Sequence, residues 1–168
     1  MMRGCRLAIL CVILLLPLVA GRAAAADPGV GEASLSLTGK VRHPQQFDLA
    51  RLRGLPGQEV KVSFQTEHGV EGAGFDGVPL WTLLGEAGGI DDPEKGAVLR
   101  HVLKVTGRDG YVVMLSTGEI APDFGGKPAL IACQRDGEPP GASGFRLVMP
   151  GDKKGGRYVR DVVTIDVE

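Results

Sequence analysis

Apolar and polar residues alternate through Val60, Lys61, Val62, Ser63, Phe64 and Gln65. This period of two predicts a half-buried strand with Gln65 on its polar face. Residues 34–37 read as an earlier strand. Between the two, Phe47-Asp48-Leu49 opens a short helical turn: Asp48 serves as its cap, and Leu49 and Leu52 fall three apart. Gly77-Val78-Pro79 then turns into a helix with an apolar stripe of Leu80, Leu83, Leu84 and Ala87. Pro79 suits the first helical position, where its missing N–H would be unpaired anyway, and Gly88-Gly89 ends the element.

The second half reads mainly as strands. Residues 98–106 and 111–116 flank Gly107-Arg108-Asp109-Gly110, a hairpin loop. Residues 129–133 are nearly all apolar, as in a strand buried on both faces. Asp136-Gly137-Glu138-Pro139-Pro140-Gly141 is a turn cluster, followed by a strand over 145–149. The last strand, over 158–167, sets Val163, Ile165 and Val167 on one side and Thr164 and Asp166 on the other. Many strands with a few short helices predict an α+β fold, a single domain with a mostly β core of mixed sheets.

The first 26 residues are set apart from this pattern. Arg3 and Arg6 precede an apolar run over residues 7–20, and Ala24-Ala25-Ala26 supplies small residues before Asp27-Pro28. That is the layout of a secretory signal peptide, with export to the periplasm or the medium as its consequence. The run is shorter than a membrane span needs and Pro17 interrupts it, so stable insertion after signal removal is not expected. Residues 27–38 read as a short lead and first strand, and residues 39–168 as the domain.

Composition narrows the function classes. The 168 residues carry 19 basic and 20 acidic side chains, which argues against a polybasic nucleic-acid binder. Hydrophobic residues at 43% exclude disorder for most of the chain, and 26 glycines fit many tight turns. Loss of residues 1–26 takes Cys5 and Cys11 with it and leaves Cys133 alone. An intrachain disulfide and a multi-cysteine metal site are then excluded. His43, His68 and His101 are scattered without metal-ligand spacing, and no catalytic residue is assigned.

Five stretches together resemble the sulfite-oxidase-type molybdopterin-binding domain. They are Asp76-Gly77-Val78-Pro79-Leu80 with Leu83-Leu84 and Ala87-Gly88, Asp109-Gly110-Tyr111, Asp136-Gly137-Glu138-Pro139, Gly144 through Gly151 with Arg146-Leu147-Val148 at its centre, and Tyr158-Val159-Arg160 through Ile165. The resemblance runs from about Gly39 to Val167 and implies that family's fold and a molybdopterin-type cofactor site. In the family a cysteine thiolate binds molybdenum about a dozen residues before the Gly77 position. Counting back lands on Gln65, within Phe64-Gln65-Thr66-Glu67-His68. An amide cannot replace a soft, electron-donating thiolate, which argues against molybdenum here. Ser143 and Asp161 are further departures, at positions where the family has His and an aromatic residue.

Arg146 matches the family's cofactor-side arginine. Lys153, Lys154, Arg157 and Arg160 follow within or beside the Gly-rich segment 151–156. Such cations suit an anionic tail, and a solvated turn beside an edge strand is the competing reading. Candidate cofactor-binding residues are thus Gln65, Thr66, His68, Arg146, Lys153, Lys154, Arg157 and Arg160, with no metal ligand. Two functions follow from the resemblance. One is a non-catalytic module that binds a small anionic ligand or docks on a protein partner. The other is an active molybdopterin-dependent oxidoreductase with a non-cysteine metal ligand.

Overall fold

The computed structural model of the chain describes residues 33–141 and 144–168. The expected signal peptide and Ser143 lie outside them. In chain order the strands are β1 (Ser34–Gly39), β2 (Gln45–Asp48), β3 (Gln58–Thr66), β4 (Gly69–Pro79), β5 (Val102–Gly107), β6 (Val112–Ser116), β7 (Leu130–Arg135), β8 (Arg146–Val148) and β9 (Val162–Val167). Three short helices interrupt them: α1 (Leu49–Arg53), α2 (Leu80–Glu86) and α3 (Thr117–Ile120). The strands form a five-stranded sheet ordered β2-β1-β9-β5-β6 and a four-stranded sheet ordered β3-β4-β7-β8. β1 pairs parallel with β9, and the other neighbours pair antiparallel. The fold is mixed α+β, as the sequence pattern predicts.

One hydrophobic core joins the two sheets. Leu35, Leu37, Leu103 and Ile165 come from the five-stranded sheet; Phe64, Phe75, Leu130, Ile131 and Leu147 come from the other. Burying this apolar surface is the main favourable term holding the sheets together. Local chemistry sets the element ends. The Asp48 side chain accepts from the Arg51 N–H at 2.7 Å and starts α1. Gly88 and Gly89, at φ +76° and +81°, end the α2 segment in a conformation that a Cβ would oppose.

Some elements differ from the sequence expectation. Residues 45–48, read as the entry to a helical turn, form β2, and the helix begins only at Leu49. The glycine-rich stretch Gly69–Pro79 is a long strand, because it pairs with the alternating β3 along its whole length. The strand expected over 98–106 begins at Val102, and Ala97–Leu99 is a 3-10 turn that leaves Leu99 exposed. The final strand starts at Val162 rather than 158, because Asp161 adopts φ +45° and breaks the extended run. A register shift opposite Gly107 makes Val163 the extra residue of a bulge, so Val162 rather than Val163 is fully buried with Ile165 and Val167.

Candidate ligand-binding cleft

Arg146 opens β8 and is paired across to Ala132 of β7. Its guanidinium lies over three aromatic rings, with ring-centre distances of 5.8 Å to Phe64, 5.6 Å to Phe75 and 5.8 Å to Tyr158. Phe64 and Tyr158 themselves stack with centres 4.0 Å apart. These faces attract the cation, but none of them accepts a conventional hydrogen bond. The Arg146 Nε is buried with no hydrogen-bond partner among the described residues. Burial, and then the neighbouring Arg160 and Arg135, lower the pKa of Arg146. An arginine starts so far above neutrality that it remains a cation.

Two cavities meet at Arg146 and Arg160, which line both. The first, of about 530 Å³, is also lined by Phe64, Gln65, Thr66, Glu67, Lys154 and Tyr158. The second, of about 440 Å³, is also lined by Glu71, Phe75, Gln134, Arg135, Glu138 and Pro139. Of the residues singled out from sequence, the structure thus gathers Gln65, Thr66, Arg146, Lys154 and Arg160 around one cleft. Gln65 lies near the end of β3, and its backbone N–H donates to the Lys153 carbonyl at 2.9 Å.

The other three candidates are placed differently. His68 sits exposed in the β3–β4 hairpin, where its N–H donates to the Thr66 hydroxyl at 3.2 Å. Lys153 is exposed on a shallow outer surface beside Arg157. Arg157 is held by carboxylates: Nη2 lies 2.6 Å from Asp152 and Nη1 lies 3.0 Å from Glu119. Lys127 completes the group, 3.0 Å from Glu119 and 3.1 Å from Asp152. The Arg157 hydrogen bond, then Lys127, hold the Asp152 carboxyl below its ordinary range against the opposing effect of burial. Burial also opposes ionisation of Glu119, but the same two cations outweigh it. This quartet fastens the loop that carries Lys154 to the segment around α3.

Arg160 has a separate support. Asp161 accepts from Arg108 Nε at 2.7 Å, which anchors the left-handed residue immediately after Arg160. Sequence reasoning did not single out the aromatic floor of Phe64, Phe75 and Tyr158, nor Glu71 and Asp152. Two of those aromatics come from neighbouring strands and the third from a distant loop, so only the sheet pairing brings them together.

The residues present do not fit a thiolate-held molybdenum. The sequence resemblance puts Gln65, not a cysteine, at the ligating position, and the described residues hold no group of three His, Cys, Asp or Glu side chains placed to bind a metal. Cys133 is buried in β7, where burial pushes its thiol up to about 11, and it lines neither cavity of the cleft. The guanidinium of Arg146 with the nearby Arg160 and Lys154 does fit an oxyanion.

No protein-family model matches the chain, and no curated protein matches it. Among solved structures it is similar to the sulfane dehydrogenase SoxCD from Paracoccus pantotrophus, at a TM-score of 0.65 and 20% identity. The match covers 80% of this chain and 37% of the other, so the chain spans little more than a third of that neighbour's length. The likeness is one of fold: the chain shares its mixed α+β architecture with part of that structure.

Proposed function

We propose that this chain is an exported, non-catalytic ligand-binding module that takes a small anionic ligand in the cleft at Arg146. The observation that carries the reading is the convergence of Arg146, Arg160 and Lys154 on one cleft, none of them within 4.0 Å of a carboxylate among the described residues. The resemblance in sequence supports a site at this place in the domain.

Gln65 and the lack of a thiolate in the cleft support a role without molybdenum chemistry. The export part of the proposal rests on the Arg3 to Ala26 segment. Protein purified from its natural host and analysed for metal and pterin tests the reading. Protein free of molybdenum that still binds phosphate is the expected outcome. Stoichiometric molybdenum with pterin would overturn it.

A further inference from the structure

The two cavities that meet at Arg146 differ in chemistry. The cavity beside Gln65 brings Lys154 to the arginine pair, together with the exposed Glu67. The cavity on the other side brings Glu71, Glu138 and Gln134, with Pro139 and Pro140 in its wall. Proline has no N–H to offer, and carboxylates and carbonyls accept, so this wall is rich in acceptors. Arg135 is its one added cation, and that side chain is engaged: it lies 5.8 Å above the Phe75 ring, 3.8 Å from Glu71 and 3.6 Å from Asp136.

Glu138 is presented on a rigid turn. Arg135 and Glu138 exchange backbone hydrogen bonds, each of 2.9 Å, across Asp136 and Gly137. Those two residues have φ +52° and +85°, the left-handed pair of a tight hairpin turn. The turn is pinned to β4 by the Gly74 N–H, which donates to the Asp136 carboxylate at 2.8 Å. Pro139-Pro140 stiffens the chain just after it. Among the described residues, the Glu138 carboxylate has no cation within 4.0 Å. Glu71 lies on the same strand as Phe75, four residues earlier and so on the same face, which places it beside Arg146.

Resting on the proposed anion site, we infer that the cleft takes a small zwitterion: an oxyanion held at Arg146, Arg160 and Lys154, and an amine held at Glu71 and Glu138. An ammonium supplies three donors and a positive charge to a wall that offers acceptors and negative charge. Placing the two ends in adjoining cavities orients the ligand: Arg135 offsets Glu71 on one side, and Glu138, the carboxylate there without a cation partner among the described residues, favours the amine at that end.

Calorimetric titration of the protein with O-phosphoethanolamine and with ethyl phosphate tests this, because the two differ at the amine end. The amine should tighten binding by about tenfold, the scale of one charge-assisted hydrogen bond. Glu138→Gln, an exchange at an exposed side chain, should bring the two ligands close to parity. Equal affinities for the parent, still dependent on Arg146, would overturn the zwitterion inference and leave the anion site standing. Preference for the amine that survives both Glu138→Gln and Glu71→Gln would overturn the assignment of the amine end. Failure of both phosphates to bind would overturn the anion site and this inference with it.

Discussion

The backbone N–H of Gln65 donates to the carbonyl oxygen of Lys153, 2.9 Å away. This bond closes the end of β3 against the loop that carries Lys154, and it makes position 65 part of one wall of the cleft. Because the contact is made by main chain, it is insensitive to the side chain at position 65. Gln65→Cys should therefore fold as the parent does, with the loop still in place. It should show no molybdenum-dependent oxidation, since by the sequence resemblance Asp161 and Ser143 are departures as well. An oxidase assay in a molybdenum-supplied host measures this; activity in the variant that the parent lacks would show that only the metal ligand had been lost.

Asp152 and Glu119 hold the same loop from behind. Asp152 has its folded pKa depressed by Arg157 and Lys127. The stabilisation is then fully present above the ordinary carboxylate range, at about pH 4, and is lost as pH falls through the lower folded value. Asp152→Asn should lower stability near neutrality by about 1–3 kcal/mol. The gap in melting temperature between parent and variant should narrow as pH falls below about 4. A gap that stays constant down to the acid unfolding limit would mean that the ion pairs contribute nothing.

Gly77 marks the close approach of β4 to β7. A Cβ there would meet the Ile131 carbonyl and lie 2.6 Å from the Ala132 Cα, both of them backbone. Backbone cannot swing aside as a side chain does. Gly77→Ala should destabilise the domain by about 1–3 kcal/mol, the usual range for overpacking. Chemical denaturation checks it, and a variant as stable as the parent would contradict the tight strand pairing.

Two strands were legible in sequence: β3, read from the alternation over residues 60–65 and observed at Gln58–Thr66, and β7, read from its apolar run and observed at Leu130–Arg135. So was the α2 stripe of Leu80, Leu83 and Leu84. β4 was not, because Gly69, Gly72, Gly74 and Gly77 erase both its periodicity and its strand propensity; the partners β3 and β7 make it a strand. The Val163 face was misread because a bulge in pairing leaves no local signal. At the cleft, Arg146, Gln65 and Thr66 were singled out through the family resemblance, and Lys154 and Arg160 through the run of cations after Gly151. Arg157 is engaged by Asp152 and Glu119, and sequence separations of 5 and 38 residues hide that arrangement until the chain is folded. The aromatic floor under Arg146 is likewise a product of packing.

The segment before the described residues carries its own expectation. The Ala24-Ala25-Ala26 run after the short apolar stretch predicts Ala26 as the last residue removed on export. Mass spectrometry of the mature N-terminus should find Asp27 first. Retention of residues 1–26 in a membrane fraction would contradict export as a free protein.

The central claim is that the desolvated Arg146 binds an anion. Calorimetric titration of the parent and of Arg146→Ala with inorganic phosphate tests it most directly. The account predicts saturable binding by the parent that weakens in Arg146→Ala by about 1.5–3 kcal/mol, the value of hydrogen bonds to a charged group. Equal affinity in the two proteins would contradict it.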